Sequence, residues 1–121
     1  MKIMIVEDHP DMRRMLKNII SFSTVSELET IECESGEEAL ESYSIHKPDC
    51  VLMDIELKNM NGFKTTEGIL KLDVNAKVIF VTSHDTLTFR KKAEQLRARG
   101  FISKENLSDI NKLLNKVITQ L

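Results

Sequence analysis

The stretch Pro48-Asp49-Cys50-Val51-Leu52-Met53-Asp54 decides the fold of this chain, because its apolar run ends in a carboxylate. A short continuous apolar run that follows a helix-stopping proline is typical of a strand buried on both faces. Residues 55–62 are predicted to form a loop, with Asn61-Gly62 as its strongest turn signal. We therefore predict a central buried strand that delivers the side chain of Asp54 at its carboxyl end.

Three further apolar runs also end in polar side chains. The runs and the residues that follow them are Ile3–Val6 with Glu7 and Asp8, Val78–Val81 with Thr82 and Ser83, and Phe101–Ile102 with Ser103 and Lys104. If the runs are parallel strands, their carboxyl ends meet at one edge of a sheet. Three carboxylates crowded there would repel one another, which either raises a pKa or requires a cation. This combination of carboxylates, hydroxyl and ammonium fits a magnesium-dependent phosphoryl site.

The segments between these runs carry apolar residues at helical spacing, which predicts helices packed on both faces of a parallel sheet. Pro10 opens the first helix, and Ser35 with Glu38 matches the capping box that opens the second. The first helix has an apolar stripe of Met12, Met15, Leu16, Ile19 and Ile20. The other predicted elements are strand 30–33, helix 63–72, strand 77–81, helix 86–96, strand 100–102 and a last helix with the apolar stripe Leu107, Ile110, Leu113, Leu114, Val117 and Ile118. The class is α/β, with five βα units in a doubly wound parallel sheet.

Length and composition limit the function further. The 121 residues suffice for one domain, 1–121, and the net charge of −2 gives no electrostatic reason for nucleic-acid binding by the domain itself. No apolar stretch approaches the roughly 20 residues that span a bilayer, and the N-terminus lacks a signal-peptide core, so we expect a cytoplasmic protein without membrane association. Cys33 and Cys50 lack C-x-x-C spacing, so disulfide and zinc interpretations are weak.

Five motifs in this order and spacing identify a family resemblance that covers the whole chain. They are Ile5–Asp8, Pro48–Asp54, Met60–Gly62, Val81–Ser83 and Gly100–Lys104. Together they resemble the receiver domain of two-component response regulators, similar to the chemotaxis regulator that exemplifies this fold. The resemblance implies a flavodoxin-like (βα)5 sheet with strand order 2-1-3-4-5. It also implies a phosphoprotein of a phosphorelay, which catalyses only its own phosphorylation and slow dephosphorylation.

The resemblance implies that Asp54 is the phosphoacceptor, whose carboxylate attacks phosphorus to form an acyl phosphate. A Mg²⁺ ion would be bound by Asp8, Asp54 and the backbone carbonyl of Glu56, with Glu7 acting through water. Its phosphoryl donor would be a sensor histidine kinase or a histidine phosphotransfer protein. The sequence identifies neither that kinase nor the downstream protein or output domain, and it leaves phosphorylation-dependent homodimerisation open.

Three more residues receive roles from the resemblance. Lys104 would neutralise the phosphoryl charge, and the hydroxyl of Thr82 would donate to a phosphoryl oxygen. Phe101 matches the switch aromatic, which turns inward when Thr82 moves toward the phosphoryl group. The surface of the fourth helix, fifth strand and fifth helix would then change. Because phenylalanine lacks the hydroxyl of the commoner tyrosine, no hydrogen bond would mark its inward state.

Several positions depart from the common pattern of the family. Lys58 replaces the usual proline, which predicts a more mobile loop, and Arg97 occupies the usual glycine position before the fifth strand, where a left-handed backbone costs roughly 1 kcal/mol. Glu105 follows Lys104 where many receivers carry a cis proline, so we expect a trans bond. The resulting Gly100–Glu105 sequence resembles the branch whose members often carry a C-terminal helix-turn-helix output domain.

Two further residues flank the path of the hydrolytic water in the family. Glu56 lies two residues after Asp54, and His84 two residues after Thr82. We hypothesise that Glu56 and His84 interact across the mouth of the pocket and alter access of water to the phosphoryl group. The alternative is that both are exposed loop side chains without a kinetic role.

Three other functions remain as alternatives. A dehalogenase-like phosphatase would need a second aspartate where Glu56 stands. A flavin-binding electron carrier would need a phosphate-binding loop after the first strand, where Glu7–Pro10 would repel phosphate. A degenerate receiver would act only as a protein-binding module, although the acceptor, metal and lysine positions are all complete.

Overall fold

The apolar runs form one parallel sheet with helices on both faces in the computed structural model, which describes residues 1–23 and 27–119. Residues 24–26 and 120–121 of the predicted domain lie outside the described residues, as does the side chain of Ile118. The elements are β1 (Lys2–Val6), α1 (Pro10–Ser21), β2 (Glu29–Cys33), α2 (Gly36–His46), β3 (Cys50–Asp54), α3 (Gly62–Leu72), β4 (Val78–Thr82), α4 (Leu87–Gln95), β5 (Gly100–Ser103) and α5 (Ile110–Ile118). The strand order β2-β1-β3-β4-β5, with every pairing parallel, confirms the predicted flavodoxin-like topology.

The alternation of side chains along each strand divides the core into two layers. Ile3 and Ile5 of β1 belong to the layer that packs against α1 and α5, whereas Met4 and Val6 belong to the layer under α2, α3 and α4. All four are fully buried or nearly so. The central strands are therefore covered on both faces, and their polar ends lie together along one edge of the sheet.

The predicted element boundaries needed local corrections. Strand β4 lies one residue later than predicted, at Val78–Thr82, and a single 3₁₀ turn, Leu107–Asp109, precedes α5 where one continuous helix was predicted. Asn61 does not form an isolated turn with Gly62: its side chain accepts a hydrogen bond from Lys64 N at 2.9 Å and caps α3. Met15, predicted in the apolar stripe of α1, remains 49% exposed, because it lies at the margin of the buried face.

The end of α4 explains how Arg97 replaces glycine. Its φ of 58° is left-handed, as predicted. The amide of Arg97 donates to Glu94 O at 2.9 Å and that of Ala98 to Ala93 O at 3.0 Å, which together form a Schellman motif. These hydrogen bonds satisfy the last carbonyls of the helix and offset the local strain. No helix within residues 1–23 and 27–119 has the length and apolarity needed to cross a membrane.

Candidate functional site

The carboxyl edge of the sheet brings the predicted site residues together. Asp54 is the last residue of β3 and is 3% exposed, while Glu7 directly follows β1 and is fully buried. Thr82 ends β4 and is also fully buried, and Lys104 directly follows β5 with its side chain 13% exposed. The parallel strand register thus places two buried carboxylates, a hydroxyl and an ammonium at one edge.

Lys104 reaches inward and joins the two carboxylates. Its Nζ lies 2.8 Å from Glu7 Oε1 and 3.4 Å from Asp54 Oδ1. Its backbone amide donates to the carbonyl of Thr82 at 2.7 Å. This hydrogen bond extends the β4–β5 ladder and fixes the backbone from which the Lys104 side chain projects. The bond to Glu105 is trans, as predicted. The shorter contact is made to Glu7, not to the predicted phosphoacceptor.

The pKa shifts of Glu7 and Lys104 reflect a cluster in which two carboxylates surround one ammonium group. Burial raises the pKa of Glu7, and the charge of Asp54 raises it further, while the hydrogen bond from Lys104 acts in the opposite direction. Burial lowers the pKa of Lys104, but its contacts with Glu7 and Asp54 outweigh burial, so the net shift is upward. Lys104 therefore stays protonated at neutral pH and balances only one of its two carboxylate neighbours.

A cation would be well placed beside these groups. The carboxylates of Glu7 and Asp8 and the imidazole of His9 have ligand atoms within 4.8 Å of one another. Asp8 Oδ1 is buried and accepts no hydrogen bond from the described residues, and the imidazole Nε2 of His9 lies 3.8 Å from it. An unsatisfied carboxylate oxygen next to surplus negative charge fits a hard divalent cation such as Mg²⁺.

The loop after Asp54 is held tightly against the site. Glu56 N donates to Asp54 Oδ1 at 3.3 Å, and Gly62 N donates to Ile55 O at 2.8 Å. A Cβ atom on Gly62 would lie 2.1 Å from the carbonyl oxygen of Asp54, so only glycine fits there. The sequence interpretation of Asn61-Gly62 as a turn missed this packing requirement.

The predicted contact between Glu56 and His84 is present. His84 Nδ1 is hydrogen-bonded to Glu56 Oε1, and both side chains are largely exposed at the carboxyl edge of the sheet. The backbone amide of His84 donates to Thr82 Oγ1 at 3.1 Å. The Thr82 hydroxyl therefore has an internal partner through which its position is linked to the loop that carries His84.

A profile of the family described as response regulator receiver domain matches residues 3–118. The chain belongs to this receiver family. Membership implies the role of a phosphoacceptor in two-component signalling, and the fold described above is the one that receivers share.

The relatives of this receiver are similar over most of its length. It is 38% identical to the chemotaxis protein CheY of Thermotoga maritima over 96% of each chain, and 34% identical to CheY of Bacillus subtilis over 94% of this chain and 98% of that one. A LuxR-family response regulator from Aurantimonas sp. SI85-9A1 superimposes with a TM-score of 0.90 at 26% identity, covering 98% of this chain and 85% of that one. The CheX–CheY–BeF3–Mg complex from Borrelia burgdorferi superimposes with a TM-score of 0.87 at 25% identity, covering 97% and 88%.

Phe101, the predicted switch residue, has an unexpected partner. Phe101 is half-buried, and the guanidinium of Arg90 lies 4.7 Å from the centre of its ring. Arg90 is held by Asp85 through two hydrogen bonds of 2.6 and 2.7 Å. The same three residues line a cavity of about 380 Å³ between α4, β5 and α5. Sequence reasoning missed Arg90 and Asp85, although their spacing of five residues across the start of α4 was visible.

Proposed function

We propose that this receiver takes a phosphoryl group onto Asp54 in a Mg²⁺-dependent reaction, and that the α4–β5–α5 surface responds. The donor is a phosphohistidine on a sensor histidine kinase or a phosphotransfer protein. The observation that carries the proposal is the buried cluster of Glu7, Asp54 and Lys104, in which one ammonium faces two carboxylates. A degenerate receiver used only for binding would have no need to keep this unbalanced charge buried.

In the transfer step, a carboxylate oxygen of Asp54 attacks phosphorus. The bond between phosphorus and the donor imidazole nitrogen breaks, and the nitrogen keeps the electron pair and takes up a proton. Lys104 Nζ, 3.4 Å from Asp54 Oδ1, is close enough to neutralise charge on the incoming phosphoryl oxygens. The amide of Glu56 holds the carboxylate in place for attack.

The metal would be held by Asp8, Asp54 and the backbone carbonyl of Glu56, with Glu7 contributing through water. When bound, Mg²⁺ would add to Lys104 in neutralising the phosphoryl charge. The buried, unsatisfied Oδ1 of Asp8 supports this assignment. Because Glu7 already pairs with Lys104 at 2.8 Å, an indirect role through water suits it better than direct ligation.

The response begins at Thr82 and ends at Phe101. A phosphoryl oxygen on Asp54 would accept a hydrogen bond from the Thr82 hydroxyl and draw it toward Asp54, away from His84 N, which now donates to Thr82 Oγ1. Movement of Thr82 would free space beneath Phe101, whose ring is stacked under Arg90. Inward rotation of the ring would break that contact and change the surface on which Arg90 lies.

The same proposal defines what the domain does not do. It would turn over no separate substrate and catalyse only its own phosphorylation and slow dephosphorylation. We expect it to work in the cytoplasm and to bind a downstream protein or output domain, with no direct contact to nucleic acid or membrane. Dimerisation on phosphorylation is compatible with this surface.

The deciding experiment is incubation with Mg²⁺ and acetyl phosphate, followed by intact mass measurement. We expect the parent protein to gain one phosphoryl group, which neither EDTA-treated protein nor Asp54→Ala acquires. Beryllofluoride with Mg²⁺ should shift NMR signals of Thr82 and Phe101 in the parent protein alone. A parent protein that stays unmodified, under conditions where another receiver reacts, would support the degenerate alternative.

Glu56 and His84 should control how long the phosphoryl group survives. Their hydrogen-bonded side chains lie in the loops that follow Asp54 and Thr82, and we expect them to restrict access of water, so removing either should accelerate decay of the acyl phosphate. The test compares decay rates of phosphorylated Glu56→Ala, His84→Ala and the parent, with the exposed α3 residue Glu67→Ala as control. Decay at the parental rate in both variants would contradict this role.

A further inference from the structure

Arg13 of α1 is unusually buried for an arginine outside the predicted site. Its side chain is 12% exposed, whereas that of the adjacent Arg14 is 78% exposed and pairs only with Asp11 among the described residues. Removing a guanidinium from water is unfavourable unless it is paired and hydrogen-bonded. The burial of Arg13 therefore requires partners that compensate for lost hydration.

Those partners lie directly after β1 and around the end of β2. Arg13 Nη1 donates to the backbone carbonyl of Glu7 at 2.8 Å. Its Nε lies 3.6 Å from Glu32 Oε1 and its Nη2 3.5 Å from Glu34 Oε1, so two carboxylates hold the guanidinium from the far side. The planar fork of arginine suits such a bridge, because its donors point in fixed directions.

The carbonyl that Arg13 binds occupies a sensitive point in the chain. Strand β1 ends at Val6, and the amide of Glu7 makes a bond of 3.0 Å to Cys33 O as the sheet ends. The Glu7 carbonyl belongs to the peptide group that leads into Asp8. Asp8 Oδ1 is buried and accepts no hydrogen bond from the described residues, so no such bond fixes this oxygen. The peptide group that leads into Asp8 is held by Arg13 Nη1, which donates to its carbonyl at 2.8 Å.

We propose that Arg13 is a positioning residue, which orients the Glu7–Asp8 peptide and thereby sets the affinity of the site for Mg²⁺. This inference rests on the proposed function, because it takes Asp8 as a metal ligand. A purely structural clasp between α1 and β2 would stabilise the fold without changing metal affinity in the folded protein. The two roles therefore differ in what they predict for binding.

The experiment measures Mg²⁺ binding without any phosphodonor, by NMR titration of the backbone amides of the loop after β1, alongside thermal unfolding in EDTA. The variants are Arg13→Gln, Arg13→Lys and, as matched control, Arg14→Gln. We expect Arg13→Gln to weaken Mg²⁺ binding about tenfold, as loss of an outer partner of a metal ligand commonly does, and Arg14→Gln to bind like the parent. Arg13→Lys keeps the charge but lacks the fork, so it should also bind more weakly.

The possible results distinguish a failure of the role of Arg13 from a failure of the proposed Mg²⁺ site. If the parent binds Mg²⁺ and both Arg13 variants bind equally well, Arg13 has no positioning role, whatever happens to their thermal stability. If the parent itself does not bind Mg²⁺, the proposed metal site is wrong and the inference fails with it. If Arg13→Gln does not fold, the Mg²⁺ affinities of Arg13→Lys and Glu34→Gln are compared with that of the parent instead. Glu34 is 72% exposed, so its replacement leaves the core intact.

Discussion

Two ion clusters in this receiver contrast sharply. At the start of α4, Asp85 and Arg90 form a two-bonded pair with distances of 2.6 and 2.7 Å, and both side chains are more than a third exposed. At the carboxyl edge of the sheet, Lys104 faces both Glu7 and Asp54 in nearly complete burial. The exposed pair is balanced in charge, whereas the buried cluster has one carboxylate too many.

This difference in burial and charge determines how each cluster contributes to the stability of the fold. An exposed pair gains little free energy, because water solvates the separated ions almost as well. A buried cluster with unbalanced charge reduces stability, and it persists in a fold only where something else requires it. Here the surplus negative charge favours binding of an added cation, and it lowers the stability of the fold when no cation is bound.

The largest effect should come from removing the cation of the buried cluster. Lys104→Met leaves Glu7 and Asp54 unpaired, which should lower the free energy of unfolding by about 3 kcal/mol in EDTA at neutral pH. Urea unfolding measures this, with the exposed Lys91→Met as control. Added Mg²⁺ should restore part of the loss. A change no larger than that of the control would mean that the cluster is effectively solvated.

The next effect has the opposite sign. Asp54→Asn removes the surplus charge and leaves Glu7 and Lys104 as a balanced pair at 2.8 Å, so the free energy of unfolding should rise by about 1–2 kcal/mol. If Asp54 is the phosphoacceptor as proposed, the same substitution should also abolish phosphorylation. Asp11→Asn, at a carboxylate that is 95% exposed, should leave both properties unchanged. A destabilised Asp54→Asn protein would show that Asp54 contributes to stability.

The buried cluster should also make stability depend on pH. Burial raises the pKa of Glu7, so the folded protein binds a proton more tightly there than the unfolded chain does. That contribution is complete below the ordinary glutamate pKa and is lost as pH rises through the raised value. In EDTA, Glu7→Gln should therefore gain stability relative to the parent as pH rises above the ordinary glutamate pKa. Parallel pH profiles of the two proteins would contradict the shift.

The sequence predicted the strand ends well because their chemistry is local. Each apolar run ends in the residue that it delivers to the site, so Asp54, Thr82 and Lys104 followed once the runs were taken as parallel strands. The pairing of Glu56 with His84 was predicted from the family resemblance, because both occupy positions that flank the path of the hydrolytic water in receivers. The left-handed backbone of Arg97 agrees with its place at the usual glycine position of the family.

What the sequence did not predict depends on distances across the fold. No pattern shows that Lys104 lies closer to Glu7 than to Asp54, because side-chain packing at the sheet edge decides it. The bridge from Arg13 to Glu32 and Glu34 joins a helix to a neighbouring strand, so it depends on contacts between residues that are distant in the sequence. The capping role of Asn61 was missed because a capping asparagine and a turn asparagine share the same sequence signal, whereas the start of α1 at Pro10 and the Ser35 cap of α2 were predicted correctly.

The smallest change in stability should follow removal of the exposed cluster. Arg90→Gln breaks the ion pair with Asp85, but water then solvates the Asp85 carboxylate and the new amide. The free energy of unfolding in urea should therefore match that of the exposed Lys91→Gln. The ring of Phe101 should nevertheless lose its cation partner, and its aromatic NMR signals should shift in Arg90→Gln alone. Unchanged Phe101 signals would show that the contact does not hold the ring. A marked loss of stability would instead erase the contrast between the two clusters, since the exposed pair would then support the fold.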